Sequence, residues 1–544
     1  MRLYYDEISR AIEQLRDQDN VARPDGDQLR RMAEPYGVRT EFGNVNYSST
    51  IRARSKDLTV LLGSDKVMQT DLNPAQKRIV RDLPETLKKV HRYIQHAPLV
   101  CTARTLGNTS EFAPHCTIYV STHRKDCIRL PYMWYKTLFD PKHASGPELN
   151  LVYIPEWQEK DRQALVFPEI GVTYVLGTDY FGEAKKGFLR MAMWYAKVRG
   201  MLGLHAGSKL ITARTPDGKI KRYGVLLLGL TATGKTTHSA HTHYLDRPGE
   251  EVKLVQDDVV FLKDDGSALG SESGLFIKTD SLEDGSQPVL YEAAKSPSTV
   301  FENVMVDYLG RVYMADETLT GNGRAVVLRE DLGGLASDSI NLPPVAELDK
   351  LLICFITRRN TILPPLARLT PQQGAAAYML GESVHTSGSN PALAGQSIRC
   401  VGTNPFIVGD EAFEGNRFYE IISQHPDKVQ CYQLNTGGVG ELIEEDERTG
   451  ERKVLQKVDR VEIDEMAAIF RGIVREEVEW ENDPDWDYDV PTKVDGVDLE
   501  RFRPERFYDQ EQTEKFVRDL RAERIEYLES FKGLHPDIVN AVKR

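Results

Sequence analysis

The chain has no pair of cysteines at C-x-x-C spacing; its six cysteines (Cys101, Cys116, Cys127, Cys354, Cys400 and Cys431) are scattered through 544 residues. That excludes the common zinc-site and disulfide-framework patterns, and reads as free buried thiols in a reducing compartment. Long apolar runs are missing too. The longest, around 225–228 and 351–356, fall far short of the roughly 20 residues of a bilayer span. Met1 to Glu7 carries no apolar stretch of signal-peptide type, so neither membrane insertion nor export is expected. Positive charge is in deficit: the formal net charge is -13, which argues against non-specific nucleic-acid binding. A local basic pocket for an anionic metabolite stays compatible with that balance. There is no internal repeat and no low-complexity tract. What remains is 40% hydrophobic and 28% charged, ordinary for a cytoplasmic globular protein of two or more domains.

One segment stands out from this ordinary background. Gly229-Leu230-Thr231-Ala232-Thr233-Gly234-Lys235-Thr236-Thr237 fits G-x-x-x-x-G-K-[ST] and follows the apolar run 223–228. Such a loop wraps nucleotide phosphates with backbone N–H groups, while its Lys reaches the terminal phosphates and its hydroxyl ligates a divalent cation. A helix from Thr236 to Tyr244 would point its N-terminal dipole at the phosphates. A nucleoside triphosphate is therefore the expected ligand.

Hydrophobic periodicity organises the rest. Residues 1–35 read as helical, from Ile8, Ile12 and Leu15 at helical spacing. From about 40 to 210, short β-type runs (59–62, 117–120, 151–154, 171–176) mix with helices over 84–96 and 184–200. A second region starts near 208, with strands expected at 223–228, 252–262, 304–307 and 350–357. The domain expectation is thus 1–207 and 208–544. The stretch 383–397 is rich in Gly, Ser, Pro and Ala, suiting a mobile lid or an ordinary surface connection. Residues 476–489 read as a solvated acidic connector, and 510–532 as a charged amphipathic helix.

Phosphate handling does not name the acceptor, so other constellations matter. Asp257-Asp258 follows the loop between apolar flanks, where a metal-binding carboxylate is needed. Upstream, Gly177-Thr178-Asp179-Tyr180-Phe181-Gly182-Glu183-Ala184-Lys185-Lys186-Gly187 places two lysines in an apolar stretch. They cannot both be buried without an anionic partner or a metal. His205 stands at the end of another apolar segment; taken alone, such a histidine is more often a satisfied core residue than a ligand. His238, His241 and His243 form a small cluster read as helix-surface residues, with a second metal site as the lesser alternative.

The order Lys-Lys, His, P-loop, Asp-Asp resembles phosphoenolpyruvate carboxykinase of the ATP-dependent type, whose motifs run G-T-x-Y-x-G-E-x-K-K-G, S-M-H, G-L-S-G-T-G-K-T-T and I-G-D-D. Further likenesses are Glu272-Ser273-Gly274-Leu275-Phe276-Ile277-Lys278-Thr279 to E-G-G-C-Y-A-K-T, and Thr299 to Val304 to T-V-L-E-N-V. Leu319 to Arg324 is similar to L-T-E-N-T-R, Leu363 to Pro371 to L-P-P-V-S-K-L-T-P, Asn435-Thr436-Gly437 to N-T-G, and Arg54-Ser55-Lys56-Asp57 to a shortened R-S-P-K-D. The likeness runs from about residue 50 to the C-terminus and is strongest over 171–330.

The resemblance implies an α/β fold of two domains flanking a cleft, with the P-loop on a mixed sheet in the C-terminal one. It implies conversion of oxaloacetate and ATP to phosphoenolpyruvate, carbon dioxide and ADP, in the gluconeogenic direction. Lys186, His205 and Asp258 would ligate Mn²⁺; Lys235 and Thr236, with Mg²⁺, would hold the triphosphate. Lys278 and Arg324 would neutralise the transferring group, and Arg54, Tyr180 and Lys185 would form the substrate pocket. Glu302, Arg324 and Arg460 complete the expected nucleotide contacts. A monomer is the favoured oligomeric state. This sequence departs from the family at Thr231-Ala232 in the loop, at His238, after Asn435-Thr436-Gly437, and at Asp459-Arg460-Val461, where the family reads T-R-A. Those departures leave open a divergent kinase or nucleotide-binding regulator with another acceptor.

Overall fold

The computed structural model describes residues 2–543 apart from 52–54, 70, 142–143, 231–232, 281, 286, 319–320, 386–394 and 446–451. Two compact units emerge, and neither is contiguous in sequence. The first comprises Met1–Gly203, Leu269–Gly333 and Phe406–Asp410; the second comprises Leu204–Ala268, Gly334–Pro405 and Glu411–Arg544. Several of the sheets mix parallel and antiparallel pairs, so the class is α/β with mixed sheets.

The first unit is built on a seven-stranded sheet. Its order is Val21–Ala22, Leu99–Thr105, His115–Ser121, Glu148–Ile154, Val172–Leu176, Gln163–Phe167, Thr59–Leu61. The central strands are buried at nearly every position, so they read as continuous apolar runs rather than alternating ones. The helix Pro74–Ile94 lays Ile79, Leu83, Leu87, Val90 and Ile94 against the core. It begins ten residues before the expected 84. An Asn73–Gln76 capping box with Pro74 in the first turn sets its start, and Pro84 lies inside. A second, five-stranded sheet runs Gly274–Lys278, Arg324–Leu328, Val300–Glu302, Val45–Tyr47, Val38–Arg39.

The second unit carries an eight-stranded sheet. Ile220–Gly229, Lys350–Thr357 and Val429–Asn435 run parallel at its centre, and antiparallel strands flank them on both sides. Strands expected at 223–228 and 350–357 are both present. The expected 252–262 strand is two, Glu251–Gln256 and Val260–Leu262, because Asp257-Asp258 leaves the ladder. Of 304–307 only Met305–Val306 is strand. Residues 1–35 are α-helical over Arg2–Leu15 and Gly26–Ala33, a 3₁₀ turn follows at Glu34–Tyr36, and Val21–Ala22 joins the sheet between the two helices. The stretch 476–489 is not a solvated connector: Glu479–Asp483 and Tyr488–Lys493 form the sheet's edge hairpin, and Trp486 is buried. The closing helix, Gln510–Glu529, buries Val517, Leu520 and Leu528. Most of 383–397 lies outside the described residues; the flanking Glu382–Val384 and Ser397–Arg399 pair antiparallel.

Candidate active site

In the second unit, three segments end at one edge of the eight-stranded sheet. Ala206 pairs with Leu228, so His205 stands beside the end of the strand that feeds the P-loop. Ser208 pairs with Gln256, which brings Asp257-Asp258 to the same place. Past Gly229 the chain turns through Gly234, at φ 100°, into the helix Lys235–Ala240. That φ is open to glycine and strained for other residues. The helix seats closely on Gly207, where an added Cβ would collide with the Ser239 hydroxyl.

The side chains then converge. His205 Nε2 lies 3.1 Å from Asp258 Oδ1. Lys235 Nζ lies 3.2 Å from His205 Nε2 and 3.6 Å from Asp258 Oδ1. On its other side His205 faces the Thr403 carbonyl, with Nδ1 at 2.7 Å. A carbonyl only accepts, so Nδ1 donates and the neutral ring keeps its lone pair at Nε2. That is the tautomer a metal ligand requires. The lone pair and the Asp258 carboxylate face one point, toward which the Lys235 ammonium already brings positive charge. This donor set fits a divalent cation, given a further donor. Among the described residues no group of three or more His, Cys, Asp and Glu could hold a metal ion. Thr436, from the Asn435-Thr436-Gly437 motif, braces the loop by donating its hydroxyl to the Thr233 carbonyl at 2.8 Å.

In the first unit the helix Phe181–Lys197 carries the paired lysines. Lys185 is buried and pairs with Glu272, Nζ to Oε2 2.7 Å, both side chains 2% exposed. Lys186 is half-buried and sits over the Phe406 ring, 4.8 Å from its centre. The turn before the helix is held by Asp179, fully buried. It accepts from the backbone N–H groups of Thr50 and Ile51, each at 2.9 Å, and from Arg129 at 3.2 Å. Burial alone would raise the Asp179 pKa, but those donors bring it below the usual carboxylate range. Glu183 accepts from the Ser55 N–H. Asp179 and Glu183 thus tie down the chain on both sides of Arg54, which itself lies outside the described residues, as do Thr231 and Ala232.

The five-stranded sheet lines up the remaining charges. Lys278 pairs with Arg324 across one ladder, and Glu302 pairs with Arg324 across the next. Arg324 lies over the Phe276 ring at 5.5 Å and donates from Nε to Asn322 at 3.1 Å. Tyr180 is buried beside it; burial raises the phenol's pKa and Arg324 opposes that rise. Lys278 pairs with Asp280. Glu302 is fully buried, accepts from the Phe181 N–H at 3.2 Å and lies 3.9 Å from Arg129. Burial pushes its carboxyl up to about 7, with Arg129 opposing. Lys185, Tyr180, Lys278, Arg324 and Glu302 are therefore gathered in the first unit, and His205, Lys235 and Asp258 in the second. Arg460 is exposed and pairs with Gly438, next to Asn435-Thr436-Gly437.

Sequence reading missed Arg129, whose signal is nil, and Glu272's role as counter-ion to Lys185. It misplaced the three histidines. All three are buried: His238 lies within the helix, on a covered face, and His241 and His243 follow Ala240, where the helix stops and the chain folds inward.

The family model described as phosphoenolpyruvate carboxykinase matches residues 27–500. The protein named "Phosphoenolpyruvate carboxykinase (ATP)" of Aeropyrum pernix is 35% identical over 412 residues, 75% of this chain and 77% of that one. Proteins of the same name from Nitrobacter hamburgensis and Rhizobium rhizogenes are 28% identical over 364 residues and 26% over 330. Those matches cover 65% and 60% of this chain, and 62% and 55% of the relatives, under two thirds of their length.

Proposed function

Since the chain belongs to the ATP-type phosphoenolpyruvate carboxykinase family, we propose that it converts oxaloacetate and ATP to phosphoenolpyruvate, carbon dioxide and ADP. The observation that carries this reading is the triangle of His205, Asp258 and Lys235, which joins a cation-ligating pair to a P-loop lysine within 3.6 Å. Lys235 and the loop N–H groups bind the β- and γ-phosphates, and Thr236 in the helix's first turn takes their Mg²⁺. His205 and Asp258, with Lys186 as the third donor on the family pattern, hold a second divalent cation, for which Mn²⁺ suits the nitrogen-containing set. That cation supplies positive charge where the substrate becomes anionic on losing carbon dioxide.

The chain's own residues do the rest. Arg54, Tyr180 and Lys185 orient the dicarboxylate, and Asp179 and Glu183 hold Thr50, Ile51 and Ser55 in the neighbouring sequence. Lys278 and Arg324 spread their charge over the phosphoryl group in flight. Arg460 borders the nucleotide. We read the enzyme as cytoplasmic and gluconeogenic; among the described residues no helix is long and apolar enough to cross a membrane.

The test is a coupled assay. Purified protein with Mn²⁺ and Mg²⁺ receives oxaloacetate and, in turn, ATP, GTP or pyrophosphate, with phosphoenolpyruvate and carbon dioxide both followed. Product with ATP is expected; none with any donor, despite measurable ATP binding, overturns the reading. Asp258→Asn is expected to cut turnover by a factor of about 1,000, the scale of losing a charge-stabilising group, with an unchanged melting temperature. Wild-type turnover in that variant would remove Asp258 from the site.

A further inference from the structure

Behind the P-loop helix lies a buried lysine that has no carboxylate partner among the described residues. Lys209, on the strand Ala206–Arg214, is 0% exposed. Its ladder with Glu251–Gln256 slips between Ser208 and Lys209. The amine reaches the His238 carbonyl at 2.5 Å and His243 Nε2, and sits 4.5 Å from the Phe470 ring centre. The His238 carbonyl is among the last four of the helix Lys235–Ala240, which have no partner within the helix. Lys209 therefore closes the C-terminal end of the helix whose first residue is Lys235. Helix C-termini favour cations.

The protein tolerates strain to make this contact. His243 and Tyr244 both have positive φ, 54° and 52°, a conformation strained for non-glycine residues. The distortion puts the His243 ring flat on Phe470, 4.4 Å between centroids, with its Nε2 against the lysine. The titratable and charged groups around Lys209 can be named element by element. His238 comes from the P-loop helix, and His241 and His243 from the turn after it. Cys354 comes from the strand Lys350–Thr357. Behind His243, Arg471 reaches its carbonyl, and Asp464 holds Tyr244. Neighbours on the paired strands are Val225 and Leu254. Among the described residues no carboxylate pairs with Lys209, and burial brings its pKa down to about 7.

We propose that Lys209 is a positioning residue for the P-loop, and that nucleotide binding at the far end of its helix is coupled to proton binding at this amine. The coupling has a definite sign. A six-residue helix is about 9 Å long, so the phosphates and the amine share one short dipole in a water-poor setting. Anionic phosphate at the N-terminus favours the ammonium over the amine. ATP binding then draws a proton onto Lys209, most strongly between its free-state and bound-state midpoints. Affinity falls as pH rises through that range, by up to about tenfold for each unit that binding raises the midpoint.

This inference rests on the P-loop reading, and the experiment separates the two. Mg-ATP is titrated calorimetrically into the full-length protein at pH 6.5 to 8.5, in buffers of different ionisation enthalpy. Wild type is expected to take up a fraction of a proton above pH 7 and to bind ATP more weakly toward pH 8.5. Lys209→Met is expected to lose both the uptake and the slope. His243→Asn, in which asparagine tolerates the positive φ, withdraws the acceptor from the ammonium and should move the profile to lower pH. Uptake that persists in Lys209→Met, a wild type with none, or a profile unmoved in His243→Asn overturns the proposal while leaving ATP binding in place. No ATP heat at all in the wild type overturns both readings.

Discussion

Glu272 is the group that lets Lys185 lie inside the protein. The pair is 2.7 Å apart with both side chains 2% exposed, so removing one partner takes the close opposite charge from a side chain held away from water. Glu272→Gln should destabilise the protein by about 3–5 kcal/mol, whereas Lys185→Met combined with Glu272→Leu should recover most of that loss. Urea unfolding of the three proteins decides it; equal stability of the single and double variants would mean the pair is hydrated in solution. Glu302 makes a pH-dependent case. Its carboxyl is raised by burial to about 7, above the unfolded value near 4.3. The folded state thus binds this proton more tightly than the unfolded chain does. Its contribution is complete below the unfolded pKa and disappears as pH rises through about 7. Relative to wild type, Glu302→Gln should therefore gain melting temperature between pH 5 and about pH 7 and level off by pH 8, and a flat difference throughout would contradict the raised pKa. At this scale the sequence was legible where side chains belong to one run, as in Gly177 to Gly187. It was silent where they meet through the fold, since Lys185 and Glu272 are 87 positions apart and Arg129 sits in no motif.

Among the elements, the P-loop turn depends most on one backbone conformation. Gly234 has φ 100°, and an added Cβ there would also press on the His238 ring at 3.3 Å. Gly234→Ala should weaken ATP binding by about 5- to 150-fold, matching strain of about 1–3 kcal/mol that the loop relaxes when no phosphate holds it, while the melting temperature of the free protein changes little. Equal ATP affinity in the variant would place the phosphates elsewhere. The strands flanking this turn were readable because their apolar runs are continuous, the mark of the buried centre of a sheet. Element ends were harder. The strand expected through 252–262 breaks because two carboxylates cannot stay in a buried ladder, and that break presents Asp258 beside His205. The helix expected to reach Tyr244 stops at Ala240, since packing His243 on Phe470 outweighs helix continuation. Residues 476–489 misled for the opposite reason: an edge hairpin carries charge on its open side, and that charge hid the strand pattern.

For the whole molecule, the fold class was legible and the path of the chain through it was not. Periodicity works within a local window, so it suggests a single cut near 207–208, whereas the compact units take strands from distant segments. In the five-stranded sheet, Val38–Arg39 and Val45–Tyr47 come from the first fifty residues, while Val300–Glu302, Arg324–Leu328 and Gly274–Lys278 come from Leu269–Gly333. Val45–Tyr47 pairs with its sheet through Val300–Glu302, in parallel, and Asn46 bonds the backbone of Val304 in both directions, at 3.0 and 3.2 Å. A chain cut after residue 207 keeps the two-stranded edge and loses the three strands that cover it. An isolated two-stranded ribbon is marginal in water. The fragment 1–207 should therefore exchange the amide hydrogens of Val45–Tyr47 at near-unfolded rates, although its seven-stranded sheet has every strand present. Supplying 269–333 as a second chain should slow that exchange, because the missing ladder partners are all on it. Full protection of Val45–Tyr47 in the fragment alone would show that the edge is held by something other than its parallel pairing with Val300–Glu302.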